Sequence, residues 1–217
     1  MQHIIVDIVS DTICPWCFVG KRRFEAALKA LPGVSARVAW RPFFLDAALP
    51  ASGKDKMAHY NTKFGAPRVA QMLPMMAKVG AAEGIAFDYG GLIANTEASH
   101  ALIAAAAAHG GAALQDACVE ALFQHYFEKQ GNIGDEAAIS ALCAAAGLPA
   151  AAAKAALTPA GRAAVRAEER ELRATLGISG VPFFVIRRAD GAGEPVEISG
   201  AAEAPSFVAA IQGLAQK

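Results

Sequence analysis

Apolar positions open the chain as a dense block and then spread to helical intervals. Ile4-Ile5-Val6 and Ile8-Val9, on either side of Asp7, predict a buried strand that Ser10-Asp11-Thr12 ends. From Cys17 onward Phe18, Phe24, Ala27, Leu28 and Leu31 recur at helical spacing, with Lys21, Arg22, Arg23 and Glu25 between them, until Pro32-Gly33 stops the pattern. Residues Val34 to Phe44 alternate well enough for a second strand. A β-α-β order of this kind predicts a right-handed crossover and a parallel strand pair.

Asp46 to Lys56 reads as a link, and the character then changes. Residues 56–173 hold almost no β-type run. Helices are expected over Ala66–Glu83, Glu97–Ala108, Ala112–Lys129, Glu136–Ala146, Ala150–Leu157 and Pro159–Leu176, with Asp135 as an N-cap and Gly147 as a C-cap. Strand character returns at Val181–Arg188. Asp190-Gly191-Ala192-Gly193 then leads into Val196-Glu197-Ile198, a hairpin signal, and a final helix is expected from about Pro205 to Leu214. The predicted class is α/β. A split β-sheet domain, 1–50 plus 165–217, would carry an α-helical insertion at 51–164.

Composition and local pattern sharpen this picture in four respects. Hydrophobic residues make up 54% of the 217-residue chain, with alanine prominent, which suits closely packed helices. Lys and Arg number 20 against 20 Asp and Glu, and no basic patch stands out, so nucleic acid is not an expected partner. The apolar run Ala101–Ala108 is too short to span a bilayer, so no membrane is expected. The short, acidic opening segment reads as a strand rather than a secretory leader, which sets the expectation of a cytoplasmic protein.

Four cysteines carry the candidate chemistry: Cys14, Cys17, Cys118 and Cys143. In a reducing compartment a C-x-x-C pair is catalytic or metal-binding more often than structural. Cys14-Pro15-Trp16-Cys17 stands where a strand gives way to a helix. Free N–H groups and the positive end of the helix dipole favour a thiolate there, and the second cysteine follows one turn later, placed to resolve a mixed disulfide. Pro15 suits a first helical turn, and Trp16 supplies an apolar cap or docking surface. A zinc site would need two further ligands, but Cys118 and Cys143 lie apart among apolar neighbours and read as separate buried thiols, so no metal is expected. Gly180-Val181-Pro182-Phe183-Phe184 puts a proline at the mouth of a buried strand. Either a cis Val181–Pro182 bond, which would expose the Val181 backbone to an extended substrate, or an ordinary trans proline at a strand start accounts for it.

With these residues in place, the chain resembles thioredoxin-superfamily proteins of the DsbA type. It is most similar to the FrnE-like subgroup, grouped with 2-hydroxychromene-2-carboxylate isomerases and kappa-class glutathione transferases. The resemblance rests on Asp11 to Arg22, Trp40-Arg41-Pro42-Phe43, Asn95-Thr96 with His100, Leu122-Phe123 with Tyr126-Phe127, Gly177 to Phe184, and Ile198-Ser199-Gly200-Ala201, in order along nearly the whole chain. It implies a thioredoxin fold interrupted by helices, with Pro182 cis and facing the dithiol. The isomerase branch carries serine where this chain has Cys14, and the family's Ser-Gly-Ala-Gln stretch ends here in Ala202.

Two functions follow as expectations. The first is a thiol–disulfide oxidoreductase or disulfide isomerase in which Cys14 attacks, Cys17 resolves, and protein or small-molecule thiols and disulfides are the partners. The second is a glutathione-dependent isomerase or transferase acting on a small aromatic or electrophilic molecule. No cofactor is required, although glutathione fits as co-substrate. Substrate-binding candidates are Pro15, Trp16, Val181, Pro182, Asn95 and Ser199. Asn95 or Thr96 could instead cap a helix, Ser199 could serve a turn, and His100 could face the cleft or sit in the core. Met72, Met75 and Met76 lie at helical spacing, which means core, or an adaptable surface if they border the dithiol. The oligomeric state is open, with a homodimer among the options.

Overall fold

The computed structural model describes residues 2–214. Strand β1 (Gln2–Ser10), helix α1 (Pro15–Lys29) and strand β2 (Val34–Pro42) open the chain. A two-residue strand β3 (Lys54–Asp55) leads into helices α2 (Lys56–Phe64) and α3 (Ala66–Ala82). After the short strand β4 (Leu92–Ile93) come α4 (Glu97–Phe127), α5 (Glu136–Ala145), α6 (Ala150–Ala156) and α7 (Pro159–Leu176). The hairpin β5 (Phe183–Arg188) and β6 (Val196–Ser199) and helix α8 (Ala204–Leu214) complete the described chain.

The main sheet has the order β2-β1-β5-β6. β1 pairs parallel with β2, from Gln2 opposite Val34 to Ser10 opposite Pro42, and antiparallel with β5. The parallel pair and the hairpin match the sequence pattern. Alternate β1 residues Ile4, Val6 and Ile8 are buried in the main core, where Phe24 of α1, Phe184 of β5 and Phe207 of α8 meet edge to face or tilted. Val9, Phe43, Phe183 and Val185 form a second apolar cluster.

Several elements depart from the sequence expectation. Strand β3 forms at the end of the expected link, and neither its ladder with β4 nor helix α2, which follows the link, was predicted; Asp55 caps α2 by accepting from the Ala58 N–H at 2.7 Å. Gly110-Gly111 does interrupt α4 as the sequence predicts: Gly111, at φ 67° and ψ −159°, is non-helical, so α4 consists of two helices joined across a kink. By length and composition alone the Glu97–Glu128 stretch of α4 could cross a membrane, but that length includes the break at Gly111. Its Leu102, Leu122, Phe123 and Phe127 are buried in the protein core. The polar residues of α1 are not simply a solvated face. Lys21 is buried and forms salt bridges to Glu25, to Asp116 at 3.2 Å and to Glu120 at 3.2 Å, which ties α1 to α4.

Candidate active site

Cys14 is the N-cap of α1 and Pro15 its first residue, as the strand-to-helix reading requires. The Cys14 N–H donates to the Asp11 carbonyl at 3.0 Å and the Cys17 N–H to the Cys14 carbonyl at 3.0 Å, so a tight turn delivers both thiols to one helix end. Cys14 is 4% exposed and Cys17 not at all. That difference separates their roles, because only Cys14 borders open space. Burial pushes the Cys17 thiol well above its ordinary range, and the adjoining Cys14 pushes the same way; hydrogen bonding from the Asp11 backbone and the Ser10 hydroxyl acts against both. Cys17 therefore holds its proton in the resting dithiol.

The Val181–Pro182 bond is cis, and the Cys14 thiol reaches the Val181 carbonyl at 3.5 Å. Gly20 makes this approach possible. A Cβ there would lie 3.1 Å from Pro182 Cγ and 3.2 Å from the Phe184 ring, so a side chain would push α1 away from the proline loop.

Next to Cys14 lies an apolar cavity of about 300 Å3. Ile13, Cys14, Pro15, Trp16 and Val181 form one wall; Tyr60 and Phe64 of α2 and Met72 and Met76 of α3 form another, with Leu45, Tyr89 and Ile93 between them. Trp16, Leu45 and Phe64 remain partly exposed, so the mouth is apolar too. A single charged corner interrupts it, where Asp46 lies 3.6 Å from Lys63 and 3.7 Å from His59. Burial raises the Tyr60 hydroxyl to about 12, which keeps it a neutral donor. The Tyr89 hydroxyl is buried without a hydrogen-bond partner among the described residues and so can receive a polar group from a bound molecule.

The structure thus assembles Cys14, Cys17, Pro15, Trp16, Val181 and Pro182. It does not bring Asn95 or Ser199 to the cavity. Asn95 instead clamps a loop, accepting from the Glu97 N–H at 2.9 Å and donating to the Ala47 carbonyl at 3.0 Å. Ser199 is exposed at the end of β6, opposite Phe183. His100 is buried with its Nε2 3.5 Å from Oδ1 of Asp11 and its ring edge-on to Phe44, behind the motif rather than in the cavity. Met72 and Met76 line the cavity, whereas Met75 is exposed. Sequence reasoning missed the α2 wall. Its signal is slight: two aromatics, Tyr60 and Phe64, one helical turn apart in a nine-residue helix.

A family model for the DSBA-like thioredoxin domain matches residues 5–212. The chain belongs to that family. Its fold is accordingly the thioredoxin-like DsbA fold with a large helical portion, and the family supports a thiol-redox enzyme in general terms. The structure of a probable DsbA oxidoreductase from Streptomyces coelicolor is 33% identical, with a TM-score of 0.85 over 99% of this chain and 91% of that one. The cytosolic disulfide reductase DsbM from Pseudomonas aeruginosa is 19% identical, with a TM-score of 0.64 over 98% of each chain. A 2-hydroxychromene-2-carboxylate isomerase is 15% identical, with a TM-score of 0.70 over 98% of this chain and 96% of that one; these last two likenesses are of fold alone. A 40-residue stretch is 48% identical to the uncharacterized protein YwbO of Bacillus subtilis and spans 18% of this chain and 18% of that protein.

Proposed function

We propose that this DsbA-like chain is a thiol–disulfide oxidoreductase in which Cys14 exchanges with a substrate disulfide and Cys17 completes the exchange. The observation that carries this reading is the unequal burial of two thiols on one helix turn, with the less buried one in the wall of a substrate-sized cavity. In the reducing direction the Cys14 thiolate attacks one sulfur of a disulfide, forming a mixed disulfide and releasing the first thiolate. Cys17 then attacks the Cys14 sulfur and releases the second. The dithiol's two protons end on the substrate thiols, and the Cys14–Cys17 disulfide remains. Run backwards, the same steps oxidise a substrate dithiol. The Val181 backbone, beside the Cys14 sulfur, would hold a peptide or glutathione strand next to the reacting bond. Cys14→Ser is expected to abolish insulin reduction and the refolding of scrambled disulfides. Cys17→Ala should accumulate the mixed disulfide on Cys14. Full activity in Cys14→Ser would sink the proposal.

The cavity also supports a second reading, glutathione-dependent conversion of a small aromatic or electrophilic molecule. Its walls are apolar and aromatic, and its volume sits at the lower end of small-molecule sites. That reading requires glutathione affinity by calorimetry and turnover that survives Cys17→Ala. Absence of either removes it.

A further inference from the structure

Cys118 and Cys143, expected to be separate, meet across the α4–α5 packing. The Cys118 thiol points at the Cys143 carbonyl at 4.0 Å, and both residues are completely buried. No third ligand joins them: groups of three or more His, Cys, Asp or Glu able to hold a metal ion are absent among the described residues. The pair stands apart from the active-site cavity, which neither cysteine lines.

The helix that covers this pair is short and has one side open. Of α5's ten residues only Ile139 and Cys143 are buried. Its alanine-rich outer side, with Ala137, Ser140, Ala141 and Ala144, lines a shallow open hollow shared with α6. An element held by so few buried side chains opens at a free energy well below that of global unfolding. Opening of α5 would expose both sulfurs, and reclosure would press them together.

We propose that Cys118 and Cys143 form a second redox couple, a disulfide that ties α5 to α4 when the chain meets a low-molecular-weight disulfide. The Cys118 thiolate attacks a disulfide RS–SR, forming Cys118–S–SR and releasing RS⁻. Cys143 then attacks the Cys118 sulfur and releases the second RS⁻. The two cysteine protons pass to the two released thiolates, so the net change is one protein disulfide and two RSH. Hydrogen bonding from Cys143 lowers the Cys118 thiol, while that same contact and burial raise Cys143, which assigns the first attack to Cys118.

The test uses the wild-type chain, incubated folded with oxidised glutathione, alkylated after acid quench and unfolding, and cleaved with trypsin. Cleavage after Lys78, Lys129 and Lys154 puts Cys118 on residues 79–129 and Cys143 on residues 130–154, apart from Cys14 and Cys17 on residues ending at Lys21. The expected result is a reducible link between the two middle peptides, formed more slowly than the Cys14–Cys17 disulfide. Its loss in Cys118→Ala/Cys143→Ala should leave Cys14–Cys17 exchange unchanged. Two alkylated thiols at Cys118 and Cys143 after full oxidation of Cys14–Cys17 would overturn the proposal. So would a glutathione adduct on each, or a link that forms only in denaturant.

Discussion

Single residues decide how the two thiols differ. Cys14 and Cys17 are three positions apart, yet one turn of helix leaves the first at a cavity wall and the second fully buried. Gly20 maintains that placement by leaving room for Pro182. Gly20→Val should cost about 1–3 kcal/mol by overpacking and should slow disulfide exchange, since the Cys14–Val181 contact would open. Urea unfolding read beside insulin reduction checks this, and an unchanged rate would show that the close approach is dispensable. Lys56 is a second such residue. It is fully buried, with its Nζ 3.9 Å from the centre of the Tyr126 ring and 3.3 Å from the Tyr126 carbonyl. Burial lowers it to about 8, against a slight opposing pull from Asp88. Between that value and the ordinary 10.5 the unfolded chain holds a proton that the folded chain has released, so stability from this group rises with pH across that window. Wild type should therefore gain stability relative to Lys56→Met between pH 7 and pH 10, measured from urea midpoints. A difference that stays flat with pH would contradict the burial argument.

Elements determine what surrounds the thiols. The β-α-β opening, the terminal hairpin and most helices were legible, because apolar periods of two and 3.6 persist over whole segments there. Helix α2 was not: nine residues beside a Pro/Gly/Ser-containing link give too short a period, although its Tyr60 and Phe64 build one wall of the cavity. The Cys118–Cys143 meeting was also hidden, since neither helix pattern encodes which neighbour its buried face touches. In α1 the sequence places Lys21 between the apolar positions, and in the structure it turns to carboxylates of α4. Burial alone would lower Lys21, and Asp116, Glu25 and Glu120 outweigh it, holding the ammonium above its ordinary value. Replacing it as Lys21→Met removes the cation shared by all three, leaving Glu25 and Glu120 to Arg22 and Asp116 to the Trp40 indole N–H. Because those carboxylates are part-exposed, the cost is expected at about 2 kcal/mol in chemical unfolding. A loss below about 0.5 kcal/mol would mean that solvent already screens the cluster.

The whole molecule joins a four-stranded sheet, which carries the dithiol and the proline loop, to helices that supply the opposite cavity wall. Motif and scaffold were readable from sequence because the chemistry is local to residues 14–17 and 181–182. The cavity was not, because it forms only where α2 and α3 fold over the end of α1. The proposed chemistry therefore requires that Cys14 and Cys17 exchange electrons as a pair. The most direct measurement equilibrates the protein across a series of glutathione redox buffers, quenches with acid, and counts thiols by alkylation and peptide mapping. The predicted result is one reversible transition on the peptide ending at Lys21, in which both thiols are lost together to an internal disulfide, and which Cys14→Ser abolishes. Thiols at Cys14 and Cys17 that persist through the most oxidising buffer would contradict it.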